Sequence, residues 1–159
     1  EITEPGIETS ILSHIRFCLV IPNQVNLSCP PESWSDVASL PWIWVGNDCP
    51  PYRLPQTKFE SLKISPNHAT LAVDEQIVRE LVMAGQGVAM MREDEATELA
   101  GSGLIRIWDQ SWHSLPLCLG WMTERADENI IASARDTIHH VWRHDATGAP
   151  GELNDKYWA

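Results

Sequence analysis

His140 and His144 stand four residues apart, with Asp136 one helical turn before His140. On a helix that spacing sets the three on one face, where a transition metal is held by nitrogen and oxygen ligands. No third histidine is supplied locally, and the same face reads as a solvated polar stripe. No metal site is therefore expected; capture of nickel or zinc during purification is the chemistry this spacing supports. Nucleophiles fare no better. No serine sits in G-x-S-x-G, and Ser65 and Ser102 have turn neighbours only. The "GQG" in "MAGQGVA" (Met83 to Ala89) looks like part of a dinucleotide turn. It follows a helical pattern, however, whereas a phosphate-binding turn opens a helix. Three acids remain, Asp48, Asp74 and Glu75. Asp74 reads first as a helix cap, and no histidine or second carboxylate is set beside it. No catalytic residue and no cofactor is expected, and the chain is not read as an enzyme.

The four cysteines, Cys18, Cys29, Cys49 and Cys118, form no C-x-x-C pair. Cys18 and Cys118 lie in apolar runs and read as buried strand residues, while Cys29 and Cys49 precede prolines in loops. This is neither a disulfide framework nor a zinc spacing, and it fits a reducing cytoplasm. The 159 residues, 43% of them hydrophobic, suit one ordinary domain with a real core. No apolar run is long enough to span a bilayer and no signal segment opens the chain, which begins at Glu1 and so reads as a fragment or a processed form. The net charge of −11 argues against a nucleic-acid grip by this chain itself. The acids are densest in "REDEATE" (Arg92 to Glu98) and "ERADEN" (Glu124 to Asn129), both read as solvated helix starts.

The elements that would position the acids follow from periodicity. "HIRFCLVI" (His14 to Ile21) alternates, with Ile15, Phe17, Leu19 and Ile21 on one face. A short helix beginning near Pro31 or Ser33 stops at Pro41, and "WIWV" (Trp42 to Val45) is a buried strand. "QTKFESL" reads as a helix with Pro55 at its start or at a kink, and "ATLAV" (Ala69 to Val73) as the third strand. Asp74 then caps a helix whose inner stripe is Ile77, Val78, Leu81 and Val82, with Glu75 and Arg79 paired on the other side. Gly85 ends that helix in a left-handed conformation, and Gly87 admits the strand "VAMM". "EDEATELA" is a further helix, "LIRIW" (Leu104 to Trp108) and "LPLCLGWM" (Leu115 to Met122) are a fifth and a sixth strand. The last helix is expected to turn Ile130, Ile131, Ala134, Ile138, Val141 and Trp142 inward, and the tail from Asp145 to be mobile. Of the eight tryptophans, Trp42, Trp44, Trp108 and Trp121 fall in strands and are expected in the core. Alternating strands and helices predict an α/β fold with a mostly parallel sheet. Ligands of such sheets bind beyond the carboxyl ends of strands, here the loop after Val45 and the turn after Val73.

The order "RFCLVIPNQVNL…SWSDVASLPWIWV", "AVDEQIVRELVMAGQGVAMMREDEATELAGSGLIRIW", "LPLCLGWMTER" resembles the effector-binding region of bacterial LysR-type transcriptional regulators. The A-G-x-G-V-A piece (Ala84 to Ala89) is moderately specific alone; with Pro41-Trp42-Ile43 and Gly103-Leu104 in sequence, the set is strong. The resemblance runs from about Leu12 to Arg143. It implies a periplasmic-binding-protein-like, Rossmann-like lobe, and a truncated domain. Residues 1–15 would hold the end of the first lobe and the first crossing, 16–114 the effector-binding second lobe, 115–145 the return crossing and the last helix of the first lobe, and 146–159 a mobile tail. The implied effector-binding residues are Gly46, Asn47, Asp48, Val73, Asp74, Glu75 and, near the hinge, Thr123. The implied partners are a small-molecule effector, other copies of the chain, and DNA only through a winged helix-turn-helix that this chain lacks. Three acids on one wall favour an amine-bearing or neutral effector over a carboxylate. The alternative is a fragment of a two-lobe solute-binding protein, which an export signal would favour.

Overall fold

A computed structural model describes residues 4–25, 27, 29–46 and 49–148, with side chains as far as residue 143. The predicted tail falls largely outside them, as do Asn47 and Asp48. Two compact units are formed, Ile15–Leu115 and, from both ends of the chain, Glu1–His14 with Pro116–Ala159. Two long strands, β1 (Ile7–Pro22) and β5 (Ile105–Met122), contribute to both.

In the larger unit β1 lies between β4 (Ala89–Arg92) and β5, and runs antiparallel to β4 with Phe17 opposite Arg92 and Val20 opposite Ala89. A second sheet pairs β2 (Pro41–Val45) with β3 (Asn67–Ala72) in parallel. The two sheets meet at a parallel bridge between Trp42 and Val88. There Ile43 N–H donates to Val88 C=O (2.9 Å) and Val88 N–H donates to Pro41 C=O (2.8 Å). The α/β class holds, with parallel pairing confined to β2, β3 and the entry to β4. Alternation along the strands then separates two cores. One face collects Phe17, Leu19, Trp42, Trp44 and Met90 under α1 (Trp34–Ala38) and α2 (Arg53–Leu62). The other collects Cys18, Val20, Ile43, Ala89 and Met91 under α3 (Glu75–Met83) and α4 (Glu93–Gly101).

The helix ends follow the sequence closely. Ser33 caps α1 in a reciprocal box with Asp36. Asp74 caps α3, its carboxylate accepting the Ile77 N–H at 2.8 Å. Gly85 closes α3 at φ +72°, with Gln86 N–H on Leu81 C=O and Gly85 N–H on Val82 C=O. A Cβ there would also lie 2.9 Å from Gln24 Cβ. Gly85→Val should therefore lower stability by about 1–3 kcal/mol, read as a shifted urea midpoint at unchanged slope.

Four expectations are corrected here. The fifth and sixth strands are one strand, β5, because the polar run that reads as a break stays extended. Ser111, fully buried, holds it: its hydroxyl accepts the Leu19 N–H at 2.7 Å and donates to Trp108 C=O. Ser111→Ala should cost about 1–3 kcal/mol by orphaning a buried N–H, measured by chemical denaturation. Arg79 reaches Glu98 (3.5 Å) and the Met83 sulfur, where a pair with Glu75 was predicted; and Ile77 is 40% exposed, so the inner stripe of α3 is Val78 and Val82 with Leu81 partly covered. Finally, Cys118 is only half-buried, while Cys18 is buried and its thiol is pushed up to about 12, chiefly by desolvation.

The smaller unit carries the outer halves of β1 and β5, a 3-10 turn at Thr123–Arg125, and α5 (Asn129–Gly148). Ser10 Oγ and His139 Nε2 lie 2.9 Å apart, and the Arg135 guanidinium stands 5.0 Å over the Trp121 ring. Trp121, expected in the core, is half-exposed and donates to a Glu8 carboxylate. The apolar face of α5 is largely uncovered: Ile130, Ala134, Val141 and Trp142 are exposed, and only Ile131 and Ile138 are partly covered. Helical periodicity reports that a face is apolar; burial also needs something packed on it, and among the described residues this unit offers only two strand segments.

Candidate functional site

The site grows from the ends of three strands. The β2–β3 register sets Val45 opposite Ala72, so Gly46 and Val73 leave the sheet at one edge. Because β4 enters parallel to β2, its last residue, Arg92, belongs to that edge as well. After β3 the chain turns at once into α3, with Asp74 as cap and Glu75 as first helical residue. After β4 it turns into α4, with Glu95 in the first turn. After β2 it passes Cys49 into a 3-10 turn, Pro50–Tyr52.

A recess opens among these ends. Phe17, Val45, Val78 and Met90 supply its apolar lining, and Cys49, Tyr52, Glu75, Arg92 and Glu95 its polar atoms. Its interior is about 20 Å³, room for one water-sized group and no more. Tyr52 is buried and its hydroxyl donates to Ile43 C=O at 3.1 Å. Burial pushes the Tyr52 phenol well above its ordinary value and raises the Cys49 thiol, with the Glu75 carboxylate adding to both shifts. Arg92 is engaged by Asp94 through two contacts, Nε to Oδ1 at 3.2 Å and Nη2 to Oδ2 at 2.6 Å.

Of the residues singled out from sequence, Gly46, Val73, Asp74 and Glu75 come off one sheet edge; Val73 is 79% exposed and Glu75 lines the recess. Asp74 is occupied as a cap. Asn47 and Asp48 lie outside the described residues. Thr123 belongs to the smaller unit, where its N–H donates to Gly6 C=O at 2.9 Å. The His144 side chain, half of the supposed metal pair, is likewise outside the description. Sequence reasoning missed Tyr52, Arg92 and Glu95. A signal existed for the last two: the rule applied to the ends of β2 and β3 applies equally to β4 once its parallel entry is recognised.

No curated protein sequence matches the chain. Solved structures do. The effector-binding domain of QuiR in complex with shikimate superposes with a TM-score of 0.69 at 16% identity, covering 91% of this chain and 69% of that one. The bromide-bound regulatory domain of HypT from Salmonella typhimurium gives 0.68 at 13%, covering 89% and 67%. Full-length LysG from Corynebacterium glutamicum with bound effector Arg gives 0.66 at 13%; there the match takes in 89% of this chain and 48% of that one. At such identities these likenesses speak to the fold, that of regulator effector-binding domains. No described helix is long and apolar enough to cross a membrane. The family described as LysR substrate binding domain matches residues 1–143, and the chain belongs to that family.

Proposed function

We propose that the chain recognises a small-molecule effector on behalf of a LysR-type transcription regulator, with Gly46, Asn47, Asp48, Val73, Asp74 and Glu75 forming the contact wall together with Arg92 and Glu95. The observation that carries this reading is the convergence of the β2, β3 and β4 ends on one recess, the place where open α/β sheets take ligands. The wall binds and does not transform: among the described residues the recess is lined by no histidine and no serine, and the Cys49 thiol there is raised away from the reactive thiolate. DNA is contacted by a separate winged helix-turn-helix segment of the whole protein, which acts in the bacterial cytoplasm. Copies of the chain associate, burying apolar surface such as Leu71 (69% exposed), Val73 and Ile130 (72% exposed).

Two measurements test the reading. Cys49 lines the recess, so an effector should slow its alkylation by iodoacetamide while leaving exposed Cys29 labelled at the same rate. Equal labelling of Cys49 with and without any bound small molecule would remove the recess from the site. In a mobility-shift assay the 159-residue chain, at net charge −11, should give no saturable sequence-dependent complex with duplex DNA. Such a complex would overturn the division of labour.

A further inference from the structure

The charges around the recess are unevenly committed, and this bears on what the effector is. Two cations nearby already have carboxylate partners. Arg92 is held by Asp94. Arg16, one residue before Phe17 on β1, meets Glu93 at 2.6 Å and lies 4.3 Å over the Trp112 ring. The carboxylates of the wall differ. Asp74 accepts from the α3 backbone, but among the described residues neither Glu75 nor Glu95 takes part in an ion pair. Both line the recess, one from the first turn of α3 and one from the first turn of α4. Beneath them the lining is apolar and water-sized. The Cys49 thiol is raised chiefly by burial, and the Glu75 carboxylate adds to that shift.

Resting on the effector-site reading above, we infer that the effector is a small organic cation. Its ammonium nitrogen lies against Glu75 and Glu95, and the carbon next to it enters the apolar recess. A carboxylate ligand would instead meet two like charges, with Arg92 and Arg16 already paired; a neutral ligand would leave both carboxylates without a counter-charge. An ammonium satisfies them, and the carbon beside it is about the size of the one water-sized group for which the recess has room. Attraction of this kind weakens as salt rises.

The test is an amide nitrogen–proton NMR titration of the 159-residue chain with butylammonium, butyrate and butanol, which share a four-carbon skeleton and differ in charge. Butylammonium should shift the Glu75, Val78, Met91 and Glu95 amides and bind at least about tenfold more tightly than the other two, a difference that added salt reduces. Glu75→Gln with Glu95→Gln should abolish the preference. Should the double variant lose its native spectrum, Glu75→Gln alone, on an exposed first turn, supports the same comparison. Butyrate or butanol binding as tightly at those residues would overturn the cationic assignment and leave the effector site standing. Butylammonium silence at those residues overturns the assignment too. The site reading falls with it only if a wider set of anionic and neutral fragments is also silent there.

Discussion

Replacing Gly87 with valine should split the larger unit's two sheets and cost about 3 kcal/mol or more, by overpacking plus lost backbone hydrogen bonds. A Cβ at this position would run into the Pro41 carbonyl oxygen, with the Pro41 carbon at 3.1 Å and Ile43 Cγ1 at 3.3 Å. Pro41 C=O is the acceptor for Val88 N–H in the bridge that joins β2 to β4. The nearest atoms are backbone and cannot swing aside as the end of a side chain could, so two backbones must part. The damage lies at the Cβ itself, and Gly87→Ala should therefore be nearly as harmful as Gly87→Val. For a chain of this size the melting temperature should fall by about 10 °C. A calorimetric scan of the alanine variant within about 2 °C of the parent would show that the close approach is relieved cheaply.

The second large effect is expected at Trp42. Its ring is fully buried, 5.2 Å from Phe59 and 5.6 Å from Trp44 between ring centres, and its indole N–H donates to Val37 C=O at 2.8 Å. Trp42→Ala should lose about 3–5 kcal/mol through the cavity alone. That is a large share of the roughly 5–15 kcal/mol that holds a domain folded, so near-ultraviolet dichroism should show a substantial unfolded population. Trp42→Phe keeps most of the packing and removes one of the two hydrogen bonds that the Val37 carbonyl accepts, the Leu40 N–H keeping the other at 3.2 Å, so a loss of about 1 kcal/mol is expected from it. Equal losses for the two variants would mean that packing against Phe59 contributes little.

The sequence disclosed best what local chemistry determines. Asp74 and Gly85 bound α3 because a carboxylate cap and a left-handed glycine act within a few residues. Trp42, Ile43 and Trp44 announce a strand buried on both faces, as found. Tertiary facts were less legible. The continuity of β5 through Ser111 depends on a hydrogen bond to Leu19, far away in sequence, and no local pattern encodes that. The exposure of Ile130 and Val141 depends on what covers α5, which helical periodicity does not report. Of the proposed wall, Glu75 was legible through the strand-end rule, while Glu95 required knowing which way β4 runs relative to β2. That direction is set by a single bridge at Val88.

The pairing of β1 also governs how the chain is made. Its apolar stretch, Phe17 to Ile21, is made well before its partner, since Leu19 meets Ser111 only 92 residues later. At cellular elongation rates that is roughly 5–20 s during which an aggregation-prone strand has no partner on one edge. Slowing elongation after β1 has emerged and before Ser111 emerges would lengthen the hazard.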